Sequence, residues 1–479
     1  MKKILFVASE CVPFIKTGGL ADVVGALPKS LGSDYDVRVI IPDYTCIPQK
    51  YRSKFQYIGN FYMDLGEIGN YYVGIMTYQM DGVTYYFVDN EHFFHGEKPY
   101  GDILWDIQKF CFFSKAALSM LPVINFRPDI IHCHDWQVGL VPVYLNTMFQ
   151  SNPFYHGIRT VMTIHNLKFQ GVWDIKTMKR FTGLWDDVFT MGRMEFKKDA
   201  NMLKGGMVYA DRITTVSPTY ANEIRTAYYG EGLDGLLNAK HESLSGILNG
   251  IDYDSYNPAT DPALFANYDA TNFAAAKKKN KLALQKELGM NENPDIFVAA
   301  MITRLTDQKG MDLVAYILDR MLDSEMQLIV IGTGDPRYEN MLRSYEWRYK
   351  KRVSSNILFN ETRARKLYAA ADAMLMPSLF EPCGLTQLIS LRYGTVPIVR
   401  ETGGLKDTVQ PYNEFEQTGI GFSFANYNAD ELLDKIWYAQ KVYYDTPKAW
   451  TDMVRRGMET DYSWNSSARQ YEALYNSLL

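Results

Sequence analysis

Short runs of strictly apolar residues alternate with longer stretches of helical spacing along this chain, and they do so in two successive series. Residues 4–8 (Ile-Leu-Phe-Val-Ala) read as a buried strand. Leu20, Val23, Val24, Leu27 and Leu31 then recur on one helical face, and residues 37–41 form a second strand closed by Pro42. Residues 71–76 and 83–88 alternate like the arms of a hairpin across Asp81-Gly82. Residues 130–133 and 160–164 read as further buried strands, each ending in polar residues. Asn257-Pro258-Ala259-Thr260-Asp261-Pro262 reads as a linker. A helix bearing Lys277, Lys278, Lys279 and Lys281 follows, and its lysine run reads as a solvated face. The second series predicts strands at 296–301, 327–331, 357–359, 373–376 and 396–399. Helices are expected at 313–322, 362–371 and 385–393. Strands separated by helices point to two doubly wound, mostly parallel α/β domains. In such sheets ligands collect at the carboxyl ends of the strands.

One pattern occurs in both series. Thr17-Gly18-Gly19-Leu20-Ala21-Asp22-Val23-Val24 is matched by Thr402-Gly403-Gly404-Leu405-Lys406-Asp407-Thr408-Val409. Each follows an apolar run and opens a helical stretch, an arrangement whose backbone N–H groups can hold a phosphate. Lys16 precedes the first copy and Glu401 the second. The first copy is therefore expected to face an anion, and the second to be a turn that shapes the wall of the site.

The chain has 479 residues, more than one compact core accommodates, and 47% hydrophobic with 22% charged residues is ordinary globular composition. A net charge of −5 gives no support to a nucleic-acid partner. No apolar run approaches the ~20 residues of a membrane helix. The first ten residues resemble a signal peptide only briefly, since the apolar run leads to Glu10, and they read instead as a first strand. Five cysteines without a CxxC pair fit a reducing cytoplasm.

The candidate chemistry gathers at the predicted strand ends. Lys16, Arg304 and Lys309 could neutralise a diphosphate without a metal, Arg gripping oxygens in a fork and Lys acting as a point charge. Glu381-Pro382-Cys383-Gly384-Leu385-Thr386 leads into a helix whose first N–H groups could hold phosphate, while Glu381 could accept from sugar hydroxyls. His132-Cys133-His134-Asp135 has the look of a metal site but lacks a second Cys/His cluster to close it. Asp34/Asp36 and Asp252/Asp254 are Asp-x-Asp matches of weak specificity. No Walker lysine loop and no GxGxxG follows the first strand.

Taken in order, these segments resemble the bacterial glycogen synthases and plant starch synthases, retaining GT-B glycosyltransferases of family 5. The markers are Lys16 through Val23, Thr163-Ile164-His165-Asn166, Lys204-Gly205-Gly206 with Val216-Ser217-Pro218-Thr219-Tyr220, and Asn249-Gly250-Ile251-Asp252. The second half adds Thr303-Arg304-Leu305-Thr306-Asp307-Gln308-Lys309-Gly310 and the block 377–409. The resemblance implies two Rossmann-like domains facing a deep cleft: 1–250 on the acceptor side, 251–460 binding the donor, and 461–479 crossing back to the first. It implies transfer of glucose from ADP-glucose to the nonreducing end of an α-1,4-glucan, with no cofactor or metal and with neither nucleic acid nor membrane as partner.

By the same match Lys16, Arg304 and Lys309 face the donor phosphates, joined by the backbone of Gly18, Gly19, Leu385 and Thr386. Asp22 and Asn249 lie near nucleotide or sugar, His165 and Glu381 bracket the glucose, and Cys383 and Gly384 line its pocket. Phe359 takes the place of an aromatic that stacks on adenine. Asp135, Trp136, Asn166 and Tyr100 are candidate acceptor or sugar contacts. Retention is ascribed in such enzymes to same-face attack, with the departing phosphate as base and the carbonyl of His165 near the oxocarbenium-like sugar. Because the cations come from both halves, the site is expected to be complete only on domain closure.

This chain departs from the family pattern at Gln137, and at Asp106 with Lys109, where relatives often carry Asn and Arg. Ile389 stands where many retaining GT-B enzymes have a second glutamate, which relatives in this family also lack. UDP-glucose as donor, or a silent glucan-binding scaffold, remain the alternative readings. A pyridoxal-phosphate phosphorylase would need a Schiff-base lysine and a much longer chain.

Overall fold

The computed structural model describes residues 1–479 and divides into two compact units, Met1–Asn249 with Trp464–Leu479, and Gly250–Ser463. Unit 1 is built on a nine-stranded sheet. Its strands are β1 (Lys2–Val7), β2 (Tyr35–Pro42), β3 (Gln56–Asp64), β4 (Asn70–Met80), β5 (Val83–Asp89), β6 (Ile130–His134) and β7 (Arg159–Ile164). A three-stranded sheet of β8 (Val172–Asp174), β9 (Glu195–Phe196) and β10 (Asp199–Asn201) interrupts the series, which β11 (Arg212–Thr215) and β12 (Leu244–Gly246) resume. The large sheet runs β12-β11-β7-β6-β1-β2-β5-β4-β3. It is parallel throughout except where β4 pairs antiparallel with β5 and β3. The β4–β5 turn is the expected one, with Asp81 at φ 51° and Gly82 at φ 78°, the left-handed pair a tight hairpin needs.

Unit 2 carries a six-stranded sheet of β13 (Phe297–Ile302), β14 (Met326–Ile331), β15 (Val353–Asn356), β16 (Ala373–Met376), β17 (Val396–Arg400) and β18 (Phe422–Phe424). Its order is β15-β14-β13-β16-β17-β18, with every pairing parallel. That is the doubly wound order, and the order of strand addition reverses between β13 and β16. Each unit has its own apolar core. β14 is buried along its whole length, the reason it reads as an unbroken apolar run. Each fully buried Leu, Ile, Val or Phe contributes about 1.5–3 kcal/mol.

Three sequence expectations are corrected. Residues 357–359 are not a strand: β15 ends at Asn356, where Leu358 N–H turns back to the Asn356 carbonyl (2.9 Å). Asn360 then caps the helix Glu361–Ala370 through Arg363 N–H, which leaves Phe359 84% exposed in a loop. Residues 257–262 are not a free linker, because Asp261 is buried in unit 2, accepting from Tyr393 Oη (2.5 Å) and Arg365 (3.1 Å). The lysine run is only half solvated. Lys277 and Lys281, one turn apart, face inward from the helix Phe273–Glu287, whereas Lys278 and Lys279 are exposed. Lys281 pairs with Asp372 at 2.6 Å. Lys277 donates to the carbonyls of Tyr368, Ala369 and Tyr393 and to Thr395 Oγ1, and burial pushes its amine down to about 7.

The chain enters and leaves unit 2 side by side, with Ile251 N–H on the Tyr462 carbonyl at 2.8 Å. The final helix, Trp464–Asn476, packs in unit 1, where Ser467 holds the Leu248 carbonyl (2.5 Å) and Tyr475 reaches His132 (2.7 Å). No helix is long and apolar enough to cross a membrane.

Candidate active site

In unit 1 the chemistry sits beyond the carboxyl ends of β1, β6 and β7. β1 emerges into Ser9 and Glu10, and the Glu10 carboxylate, buried to 3% exposure, organises the loop that follows. It accepts from Thr17 N–H, from Thr17 Oγ1 (2.7 Å) and from Tyr100 Oη (2.5 Å). These bonds set the path of Lys16-Thr17-Gly18-Gly19 before the helix Gly19–Ser30. Gly18 occupies its N-cap position without a side-chain cap, and a Cβ there would meet nothing within 4 Å. Lys16 Nζ pairs with Asp22 at 2.7 Å, and the lysine keeps 39% side-chain exposure. The loop thus carries a half-exposed lysine held by a carboxylate beside a glycine in open space. Glu10 was not legible in the sequence; its signal was a carboxylate immediately past a fully buried strand.

Tyr100 is a ligand of Glu10, and its segment is tied to the helix Ile103–Ser119. Asp106 and Lys109 form a buried pair at 2.6 Å, with Gly101 N–H on Asp106 (3.0 Å) and Lys109 Nζ on the Pro99 carbonyl (2.5 Å). Asp106 and Lys109, where this chain departs from Asn and Arg, thus form an ion pair with each other.

Beyond β6, Asp135 is half-buried with φ 62°, a left-handed conformation that a non-glycine residue adopts at a cost. Its carboxylate accepts from His165 N–H at 2.7 Å. Burial raises Asp135 to about 7, against the lowering effect of backbone N–H bonds from His165 and Asn166. His165, past the end of β7, is 9% exposed and meets His134 through Nε2 at 2.9 Å. Burial lowers His165 to about 3. His132 does not join them as a ligand set: its ring nitrogens are taken by Tyr475 Oη (2.7 Å) and Thr163 Oγ1 (2.5 Å). No group of three or more His, Cys, Asp or Glu is placed to hold a metal ion. Trp136, a candidate sugar contact, turns its ring into the core of unit 1. It is a core side chain, 6% exposed, packed edge-on to Phe110 and over Gly171. Asn166 lies between β7 and the next segment, half-buried, and Asn249 is buried with Oδ1 unpartnered.

In unit 2 the corresponding groups stand at the switch between β13 and β16. Arg304 follows β13 and is exposed. Lys309, on the turn before the helix Met311–Leu322, pairs with Glu381 Oε2 at 2.6 Å. Ser378 Oγ reaches the same oxygen at 3.1 Å, and Glu381 is buried to 7%. Leu379 N–H on the Gln308 carbonyl (2.9 Å) joins the two loops. The segment continues through buried Cys383 and Gly384 (φ 78°) to Leu385, N-cap of the helix Thr386–Arg392 and without a side-chain cap.

The second Thr-Gly-Gly-Leu copy underlies this loop. Gly404 N–H donates to the carbonyls of Glu381 and Pro382, both at 3.1 Å, and Thr408 and Gln387 carry the bonding on to Gly404 and Cys383 carbonyls (2.6 and 2.9 Å). Phe359 stands exposed on the loop between β15 and the helix Glu361–Ala370.

Two α/β units built on mostly parallel, doubly wound sheets have the fold of a GT-B glycosyltransferase. Residues 3–239 match the family model described as starch synthase catalytic domain, and residues 281–452 match glycosyl transferases group 1. A glycogen synthase of Lachnospira eligens is 61% identical over 479 residues, the whole of both chains. One from Lachnoclostridium phytofermentans is 56% identical, again over both whole chains. The catalytic domain of starch synthase IV from Arabidopsis thaliana, solved bound to ADP and acarbose, superposes with a TM-score of 0.90 at 34% identity, covering 100% of this chain and 99% of that one. A sucrose-phosphate synthase from Thermosynechococcus elongatus, with TM-score 0.63 at 16% identity, shares the fold. The chain belongs to the glycogen and starch synthase family.

Proposed function

We propose that this protein transfers glucose from ADP-glucose to the nonreducing end of an α-1,4-glucan with retention of configuration. The observation that carries the reading is the grouping of Arg304, Lys309 and Glu381 at the switch point of unit 2, in a chain that matches glycogen synthases along its full length. The ADP held by the starch synthase IV structure supports the adenine nucleotide as donor.

On this reading Lys309 and Arg304 take the donor diphosphate with Lys16, assisted by the amides of Gly18, Gly19, Leu385 and Thr386. Charge grows on the diphosphate as the glycosidic bond breaks, and cations already in position stabilise it without reorganisation. Lys16 and Lys309 are each neutralised by a carboxylate, Asp22 and Glu381, so donor binding exchanges one anionic partner for another. Glu381 is then released toward the glucose hydroxyls, with His165 on the other side of the sugar and Cys383 and Gly384 lining the pocket. The acceptor hydroxyl attacks the face the diphosphate leaves, and its proton passes to the departing phosphate oxygen. The His165 carbonyl lies against the positive sugar, so no protein nucleophile is needed. Phe359 closes on the adenine, and Asp22, Asn249, Asp135, Asn166 and Tyr100 position donor and acceptor.

The test is to supply purified protein with glycogen and either ADP-glucose or UDP-glucose and to measure nucleotide release. Release with ADP-glucose is expected; release only with UDP-glucose reassigns the donor, and release with neither refutes the transferase.

A further inference from the structure

β6 and β7 run parallel as neighbours and bring His134 and His165 into contact, Nδ1 of the first 2.9 Å from Nε2 of the second. Burial disfavours the imidazolium of both rings, so two neutral imidazoles share one proton along this line. Two directions are available. If His165 donates from Nε2, then His134, accepting at Nδ1, must carry its own proton on Nε2. That atom is fully buried with no hydrogen-bond partner, so an N–H would be orphaned in the core. If His134 donates from Nδ1, its Nε2 holds only an unshared lone pair. An orphaned buried donor is the rarer and costlier defect.

The bond to His165 and the packing of its neighbours hold the His134 ring in this orientation. It packs against Phe6 (centroids 5.4 Å, 15° interplanar) and His132 (4.2 Å, 29°), which also touch each other (4.9 Å), and His132 is itself pinned by Tyr475 and Thr163. The hydrogen bonds of His165 are the one at Nε2 and the backbone N–H to Asp135, which leaves Nδ1 without a protein partner.

We infer that His134 donates to His165 Nε2 and so locks His165 in the tautomer that carries its proton on Nδ1, making His165 a fixed hydrogen-bond donor to a sugar oxygen. The assignment of the sugar rests on the proposed glucosyl transfer; the tautomer does not. The tautomer of an imidazole is set by the bond its other nitrogen makes, and here that bond is intramolecular and buried. His134 is a positioning residue, acting through His165. A donor aimed and oriented before substrate arrives pays no ordering cost at the reacting centre.

The experiment is ¹⁵N spectroscopy of protein labelled at its seven histidines, with the His165 signals assigned by their loss in His165→Asn. Expected in the wild type are a protonated Nδ1 and an unprotonated Nε2; a proton on Nε2 overturns the inference, whatever the activity. In His134→Phe, which keeps a stacked ring, the His165 signals should move toward the Nε2-protonated form. With ADP-glucose and glycogen, kcat/KM for the donor should fall about tenfold with KM for glycogen unchanged. His134→Asn, whose amide N–H can replace the Nδ1 donor, should recover both the tautomer and most of the rate. An unchanged tautomer in His134→Phe also overturns the inference. A wild-type protein with the expected tautomer but no turnover refutes the transferase reading and leaves the tautomer standing.

Discussion

The two Thr-Gly-Gly-Leu-x-Asp-x-Val copies have the same local design and opposite surroundings. Gly18, in the first, has open space where a side chain would be, and the helix that follows runs from Gly19 to Ser30. In the second, Gly403 (φ 45°) and Gly404 are pressed against the carbonyls of Glu381 and Cys383, and the helix Gly403–Thr408 is half as long. The first copy leaves Gly18 in open space and gives its Thr17 N–H to Glu10; the second uses Gly404 N–H to brace the Glu381 loop. A glycine turn before a helix therefore predicts backbone donors, and the packing around it decides whether a ligand or a neighbouring loop receives them. The residue in front marks the difference: Lys16 is a half-exposed cation paired with Asp22 (2.7 Å), whereas Glu401 accepts from Ser423 (2.8 Å).

Lys16→Ala should break the comparison most severely, lowering kcat by about 10²–10³ with the melting temperature of the wild type retained. A variant of near-normal turnover would take Lys16 out of the site. Gly404→Ala comes next. With no room for a methyl against the Cys383 carbonyl, it should destabilise the protein by about 1–3 kcal/mol and reduce activity by displacing Glu381. Gly18→Ala, in open space, should leave thermal stability unchanged; equal melting curves for the two alanine variants would contradict the distinction between copies. Glu10→Gln should give a smaller effect of about 0.5–1.5 kcal/mol, loosening Thr17 and raising KM for ADP-glucose, checked by kinetics alongside a thermal melt. Smallest of all, Glu401→Gln should leave kcat within about twofold, because it touches only Ser423.

Much of this was legible from residues that act locally. The strands were written in runs such as Ile4–Ala8, and Lys16, Arg304, Lys309 and Glu381 stood out as charged groups at the ends of apolar runs. What was not legible depends on partners far apart in the chain. Glu10 is recognisable as the organiser of its loop only once Tyr100 lies on it. His134 looked like half of a metal site until β7 placed His165 beside it. Lys277 and Lys281 share a helical face visible in the spacing, yet the carbonyls and Asp372 that bury them come from elements about ninety residues later. Residues 357–359 carry a strand-like apolar pattern, but the backbone turn at Leu358 overrides it.

The most direct measurement of the central claim is to incubate the protein with ADP-glucose labelled in the sugar and with glycogen, then digest the washed polymer with an exo-acting enzyme that releases maltose from nonreducing α-1,4 ends. The account predicts label in the polymer and its recovery as maltose, with both lost in Lys16→Ala. Label that stays unincorporated, or that enters the polymer but resists the α-1,4-specific digestion, would contradict it.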